Sequence, residues 1–490
     1  MNDSRTPFDP YALTPAAIQP PPKSLLKAAL QIGPGLILAG NIVGSGELLL
    51  TTTLGAEFGF AFLWLILFSC IIKVFVQIEL GRYAISSGQP TLTALNELPG
   101  PRLGAHWLVW WWFFMLLCTV FQIGGMVGGV GQALHLAFPQ VALSAHSVLA
   151  ERFPAAAERM AANPEHLWAV LTTLLCIGLL LRGGYQRIER LTTALVVSVT
   201  LITVLCVAML PGAGYPIRAS DLREGFSFAV FSLPAAALAA AFSTFGVTGV
   251  GATELYAYPY WCLEKGYARF TGPNSPDPSW TERARGWLRV MYLDAWLSMV
   301  VFTVATVAFY CLGATVLHRQ GLVPAKSKMI ETLSEMYVPA FGEWTKVFFL
   351  IGVWAVLFKT FYVSSAANSR LTADFLGLTG LVHLGQGDRE RWIQRLVIFY
   401  PFLALAFYLG VRDPKLMVII GGFAQAATLP IITAATLYLR YKRTDPRLRP
   451  SRFSDACLWF AFVSIAAVSL YAIPRWAYTD LWPALQGMMK

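Results

Sequence analysis

Charge is scarce in this chain. Only 13% of its 490 residues are Asp, Glu, Lys or Arg, against 56% hydrophobic, and the mean hydropathy is +0.57. A soluble chain of this length would form two or three domains with about twice that charged fraction. A soluble fold is therefore excluded, and a polytopic helical membrane protein is implied. Cysteine forms no pattern: none of the seven has CxxC spacing, six (Cys70, Cys118, Cys176, Cys206, Cys311, Cys457) fall within apolar runs, and Cys262 ends one. That leaves neither a disulfide framework nor a zinc site. Walker, GxGxxG, HExxH and Ser-His-Asp signatures are missing, so neither an enzyme nor a self-contained ATP-driven pump is indicated and no cofactor is expected. A signal peptide is missing too. The first 22 residues are polar and proline-rich, without a short apolar core and cleavage site, and read as a disordered cytoplasmic tail. The net charge of +10 does not point to nucleic acid, because the basic residues sit in short loops between apolar runs, where retention on the cytoplasmic side accounts for them. The partner implied is the lipid bilayer.

What is present is a series of apolar runs of spanning length. They lie at about 26–58 (broken), 60–82, 107–138, 166–182, 189–211, 227–262 (broken), 290–317, 341–365, 392–410, 415–440 and 455–474. Eleven spans put the termini on opposite sides. The densest basic loops, Lys265 to Arg289 and Arg440 to Arg452, are cytoplasmic if the N-terminus is inside and the C-terminus outside. Two longer loops stand out: Pro139 to Glu165, able to form a short surface helix, and Glu264 to Trp287, rich in turn residues. The Trp110-Trp111-Trp112 run with Trp107 reads as an interfacial belt.

The first span carries the chemistry. Within Gly33 to Phe60, Gly44-Ser45-Gly46 weakens the helix, since each glycine costs about 1 kcal/mol relative to alanine, and Glu47 follows at once. A carboxylate at that depth is a functional candidate. The sixth span repeats the device, VGATEL at Val250 to Leu255 against VGSGEL at Val43 to Leu48. Paired glycine-interrupted spans in matching positions point to a transporter's central site. Two five-span repeats inserted with opposite orientation would bring the breaks together. If Glu47 and Glu254 both face that centre, carbonyls of Asn41–Gly44 and Thr248–Gly251, with Asn41 and Ser45, complete an all-oxygen site suited to hard divalent cations. Small residues at Gly44, Gly46 and Gly251 would leave room for a partly hydrated ion. Two other readings stay open: carboxylates that only stabilise half-helix N-termini, or a site for the amine of an organic solute. Lys359 and Lys73 are expected to ion-pair with a span carboxylate such as Glu57, Glu79 or Asp294. If Lys359 instead faced the cavity, it would favour an anionic or zwitterionic solute. Ser364, Ser365 and Thr428 either line a path or bond backbone.

Taken in order, several motifs resemble one family along residues 30 to 440. They are Gly33-Pro34-Gly35, the stretch Gly55 to Phe60, Gln77-Ile78-Glu79-Leu80-Gly81-Arg82, the Gly184 to Arg190 opening of the fifth span, and Leu429-Pro430. The family is the Nramp group of divalent-metal transporters. The resemblance implies an all-α, LeuT-like fold of two inverted five-helix repeats plus an eleventh transmembrane helix, with alternating access to a midplane metal site. It also exposes departures. The metal-binding aspartate and asparagine of the family's first break fall at Gly44 and Glu47. Its methionine and Pro-His fall at Gly251, Ala252 and Thr253, and a second histidine at Tyr258. The third span, FQIGGMVGGVG from Phe121, has no ionisable group where family members place acidic residues for proton release. A metal-facing glutamine of the tenth span lies nearer Thr428 than Gln425. A magnesium-transporting branch of the family also lacks the methionine.

The expected organisation is thus a tail over 1–25, inverted repeats over 26–211 and 212–440, and a basic loop with the eleventh span over 441–490. The expected function is transport of a hard divalent cation, Mg²⁺ before Mn²⁺, without a coupled proton, in the inner (plasma) membrane of a bacterium. The expected substrate ligands are Asn41, Gly44, Ser45, Glu47, Thr248, Gly251 and Glu254. The alternatives are a small organic solute on the same fold and a non-transporting sensor.

Overall fold

A computed structural model of the chain describes residues 11–44, 46–141, 163–182, 185–227, 235–324, 328–336, 338, 342, 345–385 and 388–476. Ser45 and the surface helix expected between the third and fourth spans lie outside the described residues. Among the described residues eleven helices are long and apolar enough to cross a membrane: Pro34–Phe58, Leu63–Ser87, Trp107–Ala137, Glu165–Arg182, Tyr185–Met209, Ala236–Lys265, Pro278–Leu317, Phe349–Leu378, Asp388–Val411, Pro414–Lys442 and Arg452–Pro474. The eleven apolar runs read from the sequence are these helices, and the architecture is the expected one of two inverted five-span repeats and a final added span.

Two boundaries moved for a physical reason. The seventh span starts at Pro278, behind an Asp277 cap whose carboxylate accepts from Ser279 N at 3.0 Å, well before its apolar run begins. The extension is amphipathic, with Trp280 and Trp287 buried. The eighth continues to Leu378 through polar AANSR because its charges are met: Arg370 pairs with Glu264 at 2.6 Å and Asp374 with Arg389 at 2.6 Å.

The first and sixth spans are each two half-helices. In the first, Pro34–Ile42 ends at Val43, and the chain resumes at Gly46–Thr51 in a turn widened to i→i+5 bonding, a form that recurs at functional sites. In the sixth, Ala235–Val247 and Ala252–Lys265 flank a non-helical Thr248–Gly251. Gly249 there has φ +66°, and a Cβ on it would lie 2.9 Å from the Cys70 backbone, so only glycine fits. The third span packs on the eighth, ninth and tenth. Its glycine run makes that approach possible: a Cβ on Gly125 would meet Pro414 O at 2.8 Å, and one on Gly124 would meet Ala404 O at 2.7 Å. The fourth, fifth and eleventh spans are outermost and largely exposed.

The tryptophan run is not a simple belt. Trp107 is half-exposed, but Trp112 is buried against Phe375, and Trp111 Nε1 donates to Thr428 Oγ1 at 3.1 Å.

From Tyr11 onward the tail departs from the expected disorder and lies across one end of the bundle. Tyr11 Oη donates to Glu264 Oε1 at 3.1 Å, and the Arg389 guanidinium sits 4.0 Å over the Tyr11 ring. Leu13 packs with Ala84, Leu263 and Ala268. Gln19 N donates to Phe270 O at 3.0 Å, and Trp287 Nε1 donates to Gln19 O at 3.1 Å. Few apolar side chains are needed here, because prolines at 20–22 limit the freedom lost on docking. The same end holds the two basic loops against each other. Arg447 donates to Asn274 Oδ1 and Ser275 O, both at 2.7 Å, and holds the Asp445 carboxyl down at about 2.

Candidate functional site

Breaking a helix inside an apolar bundle strands carbonyls on one side and N–H groups on the other, and each must find a partner. Here the partners are charged side chains. Glu47, in the first turn of the second half of span one, is fully buried. Its carboxylate accepts long bonds from Gly44 N and Gly249 N, both at 3.4 Å, and from Thr306 Oγ1 at 3.3 Å. One carboxylate thus takes donors from both breaks. The carbonyl ends go to the lysines. Lys359 Nζ donates to Val43 O at 2.6 Å. Lys73 Nζ donates to Thr248 O at 2.9 Å and to Phe245 O. Among the described residues neither lysine is in an ion pair, which corrects the expectation for both. The carboxylates expected to meet them are engaged elsewhere. Glu57 pairs with Lys415 at 2.8 Å, and Glu79 with Arg82 at 2.9 Å. Asp294 accepts from Gly33 N at 2.9 Å and Gly35 N at 2.6 Å. A carbonyl partner leaves no residue-type signature, so the sequence could show the depth of the lysines and not their bonds.

Beside the breaks lies a cavity of about 40 Å³, enclosed by spans one, three, six, eight and ten. Among the described residues Glu254 is its one ionisable side chain. Glu254 Oε1 accepts from Asn41 Nδ2 at 2.5 Å, and Asn41 Oδ1 accepts from Ser364 Oγ at 2.7 Å, which ties three spans together. On the other side, Thr253 Oγ1 lies 2.9 Å from Glu254 Oε2 and 2.8 Å from Gln425 Oε1. The Gln425 amide then donates to Gln122 Oε1 at 3.0 Å. Thr253 N also donates to Gln425 Oε1 at 3.3 Å, so the one hydroxyl hydrogen of Thr253 is free to serve Glu254 and each acceptor has a donor. These oxygens converge on the open side of Gly251. A Cβ there would lie 2.5 Å from Gln425 Oε1, 2.6 Å from Glu254 Oε2 and 3.0 Å from Gly246 O.

The structure therefore separates the expected ligands. Asn41 and Glu254 line the cavity, while Gly251 is not a lining residue and packs behind it against the Glu254 and Gln425 oxygens. Glu47 and Thr248 do not line it. The Thr248 carbonyl is taken by Lys73 and by Ser69 Oγ at 3.0 Å. Gly44 abuts Thr360, whose hydroxyl fills the room expected for an ion, while Gly46 reaches the cavity with Val247 close by. In the tenth span the register is reversed: Gln425 reaches the cavity, while Thr428 donates to Ala424 O at 2.8 Å. Ser364 also lines the cavity. Gln122 and Met126 of the third span were not singled out by sequence. Their signal was weak, one polar and one thioether side chain in a glycine run, a turn apart on one face.

Residues 35–474 match the family described as natural resistance-associated macrophage protein-like, Nramp. The chain belongs to the Nramp family of divalent-metal transporters. No curated protein matches it in sequence. Among solved structures it is similar to an Eremococcus coleocola manganese transporter in complex with an aromatic bis-isothiourea-substituted compound. That match has 17% identity and a TM-score of 0.61 over 94% of this chain and 90% of that one. It is also similar to MhsT in complex with L-phenylalanine, at 17% identity and TM-score 0.57 over 93% of this chain and 99% of that one. A third is Mhp1, a nucleobase-cation-symport-1 family transporter in a closed conformation with bromovinylhydantoin bound, at 15% identity and TM-score 0.55 over 91% and 92%. At these identities the likeness establishes the shared fold. As an Nramp-family protein the chain is a membrane transporter and not an enzyme. Among its described residues no three His, Cys, Asp or Glu side chains cluster as a metal centre. The soft donor at its cavity is Met126 of the third span, while the family's methionine position in the sixth span is Gly251.

Proposed function

We propose that this chain carries a hard divalent cation, Mg²⁺ before Mn²⁺, through the central cavity by alternating access and without a coupled proton. The observation that carries the reading is the convergence of oxygens beside Gly251: the Glu254 carboxylate, the Gln425 amide oxygen, the Thr253 hydroxyl and the Gly246 carbonyl. A cation entering there would be met by these oxygens in place of water. The donors are almost all oxygen, which suits Mg²⁺ and Mn²⁺ alike. A cavity of about 40 Å³ has room for about three waters, at roughly 10–15 Å³ of such space each, which suits a partly hydrated ion. Glu254, Asn41, Gln425 and Thr253 would hold the ion, with Glu47 as a structural carboxylate behind it. Met126, together with the likeness to a manganese transporter, favours Mn²⁺ as the second reading. Absence of proton coupling is supported by Glu254 being the one ionisable residue that lines the cavity among the described residues, since a relay needs several. We place the protein in a bacterial inner membrane, with the tail and both basic loops, which share one end of the bundle, on the cytoplasmic side.

The test is uptake into proteoliposomes, with Mg²⁺- and Mn²⁺-responsive dyes and a luminal pH dye read together. Influx of metal with no acidification is the expected result. Luminal acidification that follows metal influx overturns the uncoupled reading, and absence of flux for both metals overturns the substrate assignment.

A further inference from the structure

The two lysines at the helix breaks occupy a chemically distinctive position. Each ammonium is fully buried, and each is held by backbone carbonyls at the C-terminal end of a half-helix: Val43 O for Lys359, Phe245 O and Thr248 O for Lys73. The Lys73 ammonium also lies 4.3 Å from the centre of the Phe245 ring. Carbonyls freed where a membrane helix unwinds, at the negative end of its dipole, are ligands for a small monovalent cation in transporters with broken helices. In this chain a side-chain cation reaches them from a neighbouring span, the second for one break and the eighth for the other.

We infer that Lys359 and Lys73 are built-in counter-cations, occupying the carbonyl sites that a co-transported monovalent ion would otherwise fill. The inference rests on the reading of the chain as a transporter with its substrate site at Glu254. Charge balance supports it. The breaks and cavity hold two carboxylates, Glu47 and Glu254, and two ammoniums, Lys73 and Lys359. The nearby span charges Glu57 and Glu79 are paired separately, and Asp294 sits on backbone N–H groups. With both carboxylates and both lysines charged, these formal charges cancel before any ion arrives, so no external monovalent cation is needed to offset the carboxylates or to bridge the carbonyls. Each lysine is tethered and cannot cross with the substrate. The cycle therefore moves the two charges of the metal uncompensated, and uptake responds to membrane potential.

Lys359→Ala and Lys359→Met separate charge from shape. In medium whose only monovalent cation is N-methylglucamine, wild-type uptake should equal that in Na⁺. Lys359→Ala should fall at least tenfold and regain most of the loss with n-propylammonium, whose chain replaces the deleted atoms, or with Na⁺. Lys359→Met, which fills the space without charge, should stay slow. Thermal unfolding of the purified proteins provides a readout independent of metal transport: n-propylammonium or Na⁺ should raise the Tm of Lys359→Ala and leave wild type unchanged. The inference is overturned if wild type requires Na⁺, if Lys359→Met matches wild type, or if neither cation stabilises Lys359→Ala. If wild type carries no metal while the Tm shift is present, the substrate assignment fails and the counter-cation assignment stands.

Discussion

Glu47 and Glu254 occupy the same place in matching hexapeptides and end in different environments. Glu254 follows a break whose Gly251 leaves its carboxylate facing open space. Glu47 follows one whose neighbouring space is closed by Thr360, and it turns instead to the N–H groups of Gly44 and Gly249. Their substitutions should divide accordingly. Glu254→Gln removes the cavity's charge and should weaken metal binding by roughly 100-fold, the upper range for disturbing a metal site's supporting groups, with little change in Tm. Glu47→Gln keeps the shape but weakens the bonds to both breaks. It should cost about 1–3 kcal/mol of stability and alter metal affinity only a few-fold. Isothermal titration and thermal unfolding of the two variants check both halves, and a reversal of the pattern would return Glu47 to the binding site. The breaks, and the depth of the carboxylates that follow them, were legible in sequence because glycine and charge are conspicuous in an apolar run. Which carboxylate meets the cavity was not, because Thr360 decides it from a span more than 300 residues away. Gln425 was missed for a related reason. A register anchored on Leu429-Pro430 turned the wrong face of the tenth helix inward.

At the scale of the element, the first half-helix is hung from one side chain. Asp294 of the seventh span receives the N–H groups of both Gly33 and Gly35, and Tyr258 of the sixth donates to the same carboxylate at 3.2 Å. A carboxylate at a helix N-terminus meets both unsatisfied donors and the positive end of the dipole. This explains the Gly-Pro-Gly start: proline needs no N–H partner, and a side chain on Gly35 would lie 2.7 Å from Asp294 O and from Ser298 Oγ. Asp294→Asn halves the acceptor capacity and should cost about 2 kcal/mol, seen as faster amide exchange over 34–42 while the second half of the span keeps its protection. Equal deprotection across the whole first span would show that the two halves are one cooperative unit. The motif itself was visible in sequence. Its partner, some 260 residues on, was read as a candidate for pairing with lysine, because sequence does not distinguish a carboxylate bound to backbone from one bound to a side chain.

For the whole molecule, the eleven spans and their inverted halves follow from hydropathy and from the odd number of helices in each repeat, and they needed no contact information. The tail needed it. Residues poor in apolar content dock because the bundle offers them Glu264, Arg389 and Trp287 at one end. Tyr11→Ala removes a hydrogen bond and a cation–π contact and should cost about 1–2 kcal/mol, measurable as a lower Tm and faster exchange at residues 263–270. An unchanged exchange pattern would mean that the tail contributes nothing to that end. The partners of the tail also set an order of events. Glu264 closes the sixth span, Trp287 belongs to the seventh and Arg389 to the ninth, so Tyr11 has no complete seat until the ninth helix has been made and inserted. Synthesis runs from the N-terminus. Tyr11 therefore leaves the ribosome before its partners and is among the last residues to settle, and protection of Tyr11 from proteolysis during biogenesis would time the arrival of the ninth span.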